Sequence, residues 1–293
     1  MIDRLGLSRR RRSIVCLDFG RGQLSAIEIA DGTVTRWISR TLAEDALRNG
    51  DPVHPGLLGE AVRQALIRGR IESRRAWMAL PDHATVSRHL SLPAMPRREL
   101  ARAMHFAAEK HIPFPIERAR WSWDVIGRTR DHIDVYLVAT WRDVIDRFAE
   151  VARAAGLVPE VLEPRAVSVA RALDQDCALL IDAGAGRLHA TLLIDGQPAF
   201  VDEVPIGREP GGWRDSLDRL LQRAYRYQST EAGRAGRLAP VLLAGELELA
   251  EVHLPVGGMP VGEVLNGHLP AAPTAFRPGG YLANLGLSMR EPG

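Results

Sequence analysis

Two short acidic and glycine-rich segments are the parts of this sequence best suited to bind a charged ligand. They share the pattern Asp-x-Gly-x-Gly, with the residues Asp18, Gly20, Gly22, Asp182, Gly184 and Gly186. Glycine lets backbone N–H groups approach a bound anion closely, and a nearby carboxylate can hold a hydrated divalent cation. One such segment alone is typical of a tight hairpin without a ligand. Two at matching positions favour duplication of a phosphate-binding lobe, which concerns ancestry rather than present activity.

The elements around both segments repeat with a constant offset of 164 residues. Each copy has an apolar run typical of a buried strand, then the glycine-rich turn, a second strand, and an Asp-Gly hairpin turn into a third strand. The Asp-Gly turns are Asp31-Gly32 and Asp195-Gly196. Two such lobes would face each other across a cleft and hold a polyphosphate and Mg²⁺ between them.

Two other nucleotide-binding motifs, the P-loop and the Rossmann fingerprint, are absent. No Gly-x-x-x-x-Gly-Lys-Ser/Thr string of a P-loop occurs. A Rossmann fingerprint would need a third glycine and a helix after Gly184 and Gly186, where an apolar strand follows instead. The nine His and two Cys form no cluster with metal-ligand spacing, so no metal site is expected from them.

The composition is that of a cytoplasmic globular protein. Of 293 residues, 46% are hydrophobic and 25% charged, and no apolar run reaches the ~18 residues of a membrane-spanning helix. Cys16 and Cys177 lie in apolar runs, so we expect them to be core residues with free thiols in a reducing compartment. The net charge of +2 does not indicate a nucleic-acid partner. The basic run Arg9, Arg10, Arg11 and Arg12 is either a solvated arm or a contact to an anionic membrane surface.

A subdomain with the order β-α-β-β-α-β is predicted between the two copies, at residues 84–158. Its two helices are expected at Arg97–His111, with Leu100 and Met104 on one face, and from Trp141, with Gly156 as a stop signal. The predicted organisation is a first lobe of residues 1–83 with 159–175, this insertion, and a second lobe of residues 176–293.

Duplicated lobes of this kind, with a late strand ending at Gly245, resemble the actin-like superfamily. The insertion is similar to that of the PilM family of type IV pilus assembly proteins, through the strings Leu-Pro-Ala-Met-Pro at 92–96 and Ile112-Pro113-Phe114-Pro115. The resemblance implies an α/β, actin-like, two-lobed fold. It also implies a cytosolic protein at the inner membrane that binds the N-terminal tail of a PilN-like membrane protein, with residues 112–115 in the partner groove.

The same resemblance makes three departures visible in the nucleotide site. Only 33 residues separate Gly207 from Val241, where the family builds a helical subdomain that contacts the nucleotide, so the second lobe is truncated. The first hairpin lacks the usual hydroxyl residues and Lys, and Ala244-Gly245 replaces a Gly pair.

Two hypotheses follow from these departures. One is a scaffold with no cofactor and no enzymatic activity; the other is an ATP- and Mg²⁺-binding protein or slow ATPase. A sugar or acyl kinase would need a substrate-binding constellation and a catalytic base that the sequence does not offer.

Overall fold

The computed structural model describes residues 13–20, 23–43, 46–48, 51–184, 186–206, 212–230, 239–245, 259–260, 265 and 269–290. Its strands are β1 Ser13–Asp18, β2 Gln23–Ala30, β3 Thr33–Thr41, β4 Leu47–Arg48, β5 Asp51–Pro52, β6 Arg75–Leu80, β7 Thr85–Pro93, β8 Ala119–Arg128, β9 His132–Trp141, β10 Val158–Pro164, β11 Cys177–Gly184, β12 Arg187–Ile194, β13 Gln197–Pro205, β14 Val241–Gly245 and β15 Met259–Pro260. Its helices are α1 Pro55–Arg68, α2 Arg97–His111, α3 Arg142–Ala154, α4 Arg165–Leu173, α5 Gly212–Thr230 and α6 Leu282–Ser288.

The first lobe is built on a five-stranded sheet with the order β10-β6-β1-β2-β3. Both faces of β1 are covered, because alternate side chains of a strand point to opposite faces. Ile14 and Cys16 belong to a core shared with the second lobe, whereas Val15 and Leu17 belong to a core under α1 and α3. This explains why the sequence of β1 is continuously apolar rather than alternating.

The second lobe repeats this arrangement with the sheet order β13-β12-β11-β14-β15. Strand β11 pairs antiparallel with β12 and parallel with β14, as β1 does with β2 and β6. Ala178 and Leu180 point into the shared core, and Leu179 and Ile181 pack towards α5. The predicted duplication and the two-lobed α/β fold are therefore confirmed.

Helices α4 and α6 cross between the two sheets and connect the lobes. Gly286 of α6 lies so close to the backbone of Ser168 in α4 that a side chain at this position would clash. Asn284 is fully buried and donates to the carbonyl oxygens of Cys16 and Ser25 at 2.8 and 3.1 Å, which fixes α6 to the first-lobe sheet. Burial of an amide without hydrogen-bond partners costs free energy, so these bonds favour a single position of α6 on the sheet.

The insertion has the predicted order of elements, but its sheet is smaller than predicted. Among the described residues it consists of β7, β9 and β8, with α2 packed on one face through Leu100 and Met104. Strand β10 instead pairs with β6 in the first-lobe sheet, and α3 packs against α1 at Gly59. The insertion's own sheet and its helix α2 end with β9, at Trp141, and the chain returns to the first lobe with α3 and β10.

Candidate functional site

The two glycine-rich hairpins meet where the first and second lobes face each other. Asp18 ends β1, and Asp182 lies near the end of β11; both are buried, with 2% and 1% of their surface exposed. Between them lies the guanidinium group of Arg165, the first residue of α4. Its Nε atom is 3.2 Å from Asp18 Oδ2 and its Nη2 atom is 2.7 Å from Asp182 Oδ2. One buried cation thus joins the two hairpin carboxylates.

Gly20 is the residue that makes room for this arginine. A Cβ atom on Gly20 would lie 2.6 Å from Arg165 Nε and 2.8 Å from its Cδ, closer than side chains pack. The backbone N–H of Gly20 donates to Asp18 Oδ1 at 2.9 Å. This N–H is one that a phosphate cradle would aim at the anion, and here it is bonded within its own hairpin.

The charges around Arg165 hold it in the ionised form. Burial alone lowers the pKa of Arg165, but the negative charges of Asp18, Asp182 and Asp82 raise it above its ordinary value. Asp82 Oδ1 accepts a hydrogen bond from the backbone N–H of Ala166 at 2.8 Å, at the first turn of α4. Burial raises the pKa of Asp82 to about 6, although Arg165 and this hydrogen bond lower it in part.

A cleft of about 1050 Å³ opens beside this cluster. Its walls are formed by the two glycine-rich hairpins, the start of α4, strand β7 of the insertion and strand β13 of the second lobe. Two of its basic side chains pair with carboxylates: Arg165 with Asp18 and Asp182, and Arg187, whose Nη2 atom lies 2.7 Å from Glu203 Oε1. The charged groups that line it are Arg88, Arg165, Arg187, Asp82, Asp202 and Glu203. An even balance of charge gives little attraction for a polyphosphate.

Gly184, Gly186 and Gly245, which are also predicted to bind a nucleotide, lie in a hairpin or at the end of a strand. Gly184 pairs with Arg187 in the β11–β12 hairpin, and Gly186 has a φ angle of 76°, which favours glycine. Gly245 ends β14 beside Ala183. Gly22 lies outside the described residues.

The space for a metal ion in this site is occupied by a side chain. The space between the two carboxylates, where a metal ion would lie, contains the Arg165 side chain. Across the part of the chain that the structure describes, no group of three or more His, Cys, Asp or Glu is arranged to hold a metal ion.

The predicted partner segment lies at the junction of the insertion and the first lobe. Ile112 is 5% exposed and packs in the insertion core, so little of its side chain is available to a partner. Pro113 and Pro115 are exposed, and Phe114 between them is partly buried. The Phe114 ring stacks on Trp141, with 4.3 Å between centroids and 20° between planes.

Trp141 extends this aromatic contact to the first lobe. It ends β9 and packs against the first-lobe core, and Arg118 lies over its ring at 4.9 Å. A guanidinium over an indole face is a favourable cation–π arrangement. We refer to Phe114, Trp141 and Arg118 as the junction stack.

Sequence reasoning missed Arg165 and Trp141 as site residues. Arg165 is the first residue after Glu163-Pro164, and 147 residues separate it from Asp18 in the sequence. The basic run of Arg9, Arg10, Arg11 and Arg12 lies outside the described residues. Among the described helices, none is both long and apolar enough to cross a membrane.

Comparison with known proteins identifies the family. The model of the family described as "Type IV pilus assembly protein PilM" matches residues 17–206. No curated protein sequence matches the chain. A solved structure titled "PilM-PilN type IV pilus biogenesis complex" has a TM-score of 0.75 and 21% identity, covering 95% of this chain and 99% of that one.

A more distant structure has the same fold. The cytoplasmic domain of EpsL, an inner-membrane component of the type II secretion system of Vibrio cholerae, has a TM-score of 0.55 and 11% identity, with 94% of both chains covered. At these identities the structural likeness shows the fold alone, whereas the family model matches well over half of the chain. This chain is therefore a member of the PilM family of type IV pilus assembly proteins.

Proposed function

We propose that this protein is a scaffold of a type IV pilus assembly platform that binds the cytosolic N-terminal tail of a PilN-like inner-membrane protein. The observation that carries the proposal is the match of the PilM family model over residues 17–206, together with the fold shared with the PilM–PilN complex. The protein then works at the cytoplasmic face of the inner membrane, through its partner's membrane anchor.

The junction stack is the proposed centre of the partner groove. A short tail that is disordered when free loses conformational entropy on docking, so it needs a preformed surface. Pro113 and Pro115 restrict the backbone on both sides of Phe114. The stack on Trp141 fixes the ring, so that a docking tail does not have to order it. Since Trp141 also packs on the first lobe, a peptide here would contact both units.

Nucleotide is not part of the proposed function. Support comes from Arg165 between the hairpin carboxylates, from the Gly20 N–H bonded to Asp18, and from the pairing of Arg187 with Glu203. The rival hypothesis is an ATP-binding protein whose nucleotide state controls recruitment. It requires the Arg165 side chain to move out of the space between Asp18 and Asp182. That movement would expose two buried carboxylates without their cation, which is costly.

A peptide titration tests the proposal. The probe is a fluorescent peptide of the first ~20 residues of the PilN-like protein encoded in the same genome, a length that an extended strand or helix groove can hold. We expect Phe114→Ala to weaken binding by more than about tenfold, equivalent to ~1.4 kcal/mol. Millimolar Mg-ATP should change neither the affinity nor the melting temperature of the wild type.

The matched control is Phe106→Ala, which removes an aromatic ring of the same insertion that is 69% exposed and lies on the outer face of α2. It should bind the peptide like the wild type. Circular dichroism melts of both variants separate lost binding from lost folding. A Phe114→Ala variant that melts normally and binds at wild-type strength would remove the junction stack from the site. A low-micromolar affinity for Mg-ATP would instead favour the ATPase hypothesis.

A further inference from the structure

We propose that Arg165 is a built-in cation that closes the interlobe site in place of a metal ion, so that the lobes are held together without any ligand. This inference deepens the proposed function, because it explains how a scaffold of this fold keeps its lobes in a fixed relation without nucleotide. Its test is independent of the partner peptide.

The position of the guanidinium group is the first support. It lies between one carboxylate from each lobe, at 3.2 Å from Asp18 and 2.7 Å from Asp182, and 2% of Arg165 is exposed. A hydrated divalent cation shared by two carboxylates would need the same space. Both carboxylates are buried, and a buried charge has to be balanced by another charge.

The second support is that the surrounding chain is shaped for the arginine. Gly20 has no side chain where a Cβ atom would collide with Arg165 Nε and Cδ. Asp82 binds the first turn of α4 through Ala166 N and contributes negative charge near the guanidinium. The start of α4 is therefore anchored so that Arg165 points between the hairpins.

The third support concerns the hydrogen-bond donors of Arg165. Its Nη1 is buried and has no hydrogen-bond partner within the described ranges, although Nε and Nη2 each bind a carboxylate. A side chain placed only for hydrogen bonding would be expected to use all its donors, since a buried donor without a partner costs free energy. A group placed for its charge needs only to lie between the carboxylates.

Removal of the arginine side chain should therefore create a cation site. Arg165→Ala leaves a space between two carboxylates that a small cation can neutralise. The probes are Mn²⁺ alone and the guanidinium ion alone, each at about 10 mM, well below the molar concentrations at which guanidinium unfolds proteins. The measurement is the melting temperature, with binding of Mn²⁺ checked by electron paramagnetic resonance.

We expect each cation to raise the melting temperature of Arg165→Ala by about 3 °C or more, because a cation that binds only the folded state stabilises that state. The wild type should not respond, because its own arginine fills the site. The control variant Arg165→Ala with Asp18→Asn and Asp182→Asn should not respond either. If Arg165→Ala folds only when a cation is added, that recovery supports the proposal equally.

The proposal is overturned if neither cation stabilises or restores Arg165→Ala, or if the wild type responds as strongly as the variant. Peptide binding is measured on the same samples. Wild-type protein that binds the peptide while Arg165→Ala ignores both cations would reject the built-in cation and leave the scaffold function intact. Cation rescue without peptide binding in any sample would do the reverse.

Discussion

Substitution of Gly20 by alanine should destabilise this protein through its effect on Arg165. The added Cβ atom would lie 2.6 Å from Arg165 Nε, whereas ordinary contacts begin at 3.4 Å, so the guanidinium has to move by about 3.4 − 2.6 = 0.8 Å. A movement of that size lengthens the 3.2 Å contact between Arg165 and Asp18 beyond hydrogen-bonding distance. Overpacking costs about 1–3 kcal/mol, and a strained buried ion pair adds to it. We expect a total loss of about 2–4 kcal/mol in the free energy of unfolding.

Urea unfolding measures this loss, with Gly56→Ala as the matched control. Gly56 lies exposed in the first turn of α1, with no atom within 4 Å of a built Cβ, so the same substitution there should change stability by less than about 1 kcal/mol. The decisive comparison is Gly20→Ala in the Arg165→Ala background. With the arginine gone, the methyl group fits, and the cost should fall by about 1–3 kcal/mol. Additive costs in this double-mutant cycle would refute the explanation.

Two further predictions concern pH and the N-terminus. Asp82 has a folded pKa of about 6, raised from 3.8, so its ionisation opposes folding and its unfavourable contribution disappears as pH falls from about 6 to 4. Asp82→Asn, which keeps the acceptor for Ala166 N, should remove this part of the pH dependence of the melting temperature; an unchanged profile would contradict it. Deletion of residues 1–12 should weaken binding to anionic liposomes, by ~1 kcal/mol for each basic residue that faces the lipid, without affecting peptide binding. Equal liposome binding by the full chain and the truncated one would show that the basic run does not contact lipid.

The duplicated framework could be predicted because its signals are local. The Asp-Gly turns at Asp31-Gly32 and Asp195-Gly196 have the positive φ angles of tight hairpins, and the apolar runs before them are buried on both faces. These features depend on a few neighbouring residues, which sequence patterns record. The match between the two copies then indicated two lobes of the same design.

The partner of β10 could not be predicted in this way. Its sequence indicates a strand, but a strand pattern does not specify which edge it joins. The β-α-β-β-α-β order alone makes it the last strand of the insertion. In the structure it lies parallel to β6, with Val158 opposite Arg75, because α3 packs on α1 and brings the chain back to the first lobe.

The role of Arg165 could not be predicted from the sequence for a related reason. A basic residue at the start of a helix, directly after Pro164, ordinarily belongs to the surface. Its burial depends on Asp182, 17 residues later, and on Asp18, 147 residues earlier. Only the fold brings these three residues together, so no local window of the sequence contains the signal.

The ion pairs of Arg165 with Asp18 and Asp182 give the two hairpin carboxylates a structural role that needs no ligand. Asp18 and Asp182 now balance a buried arginine, so loss of either carboxylate would leave charge uncompensated in the core, at a cost of about 3–5 kcal/mol. Gly20 is required because a larger residue would displace that arginine. The fold itself therefore requires Asp18, Gly20 and Asp182, whether or not a ligand binds.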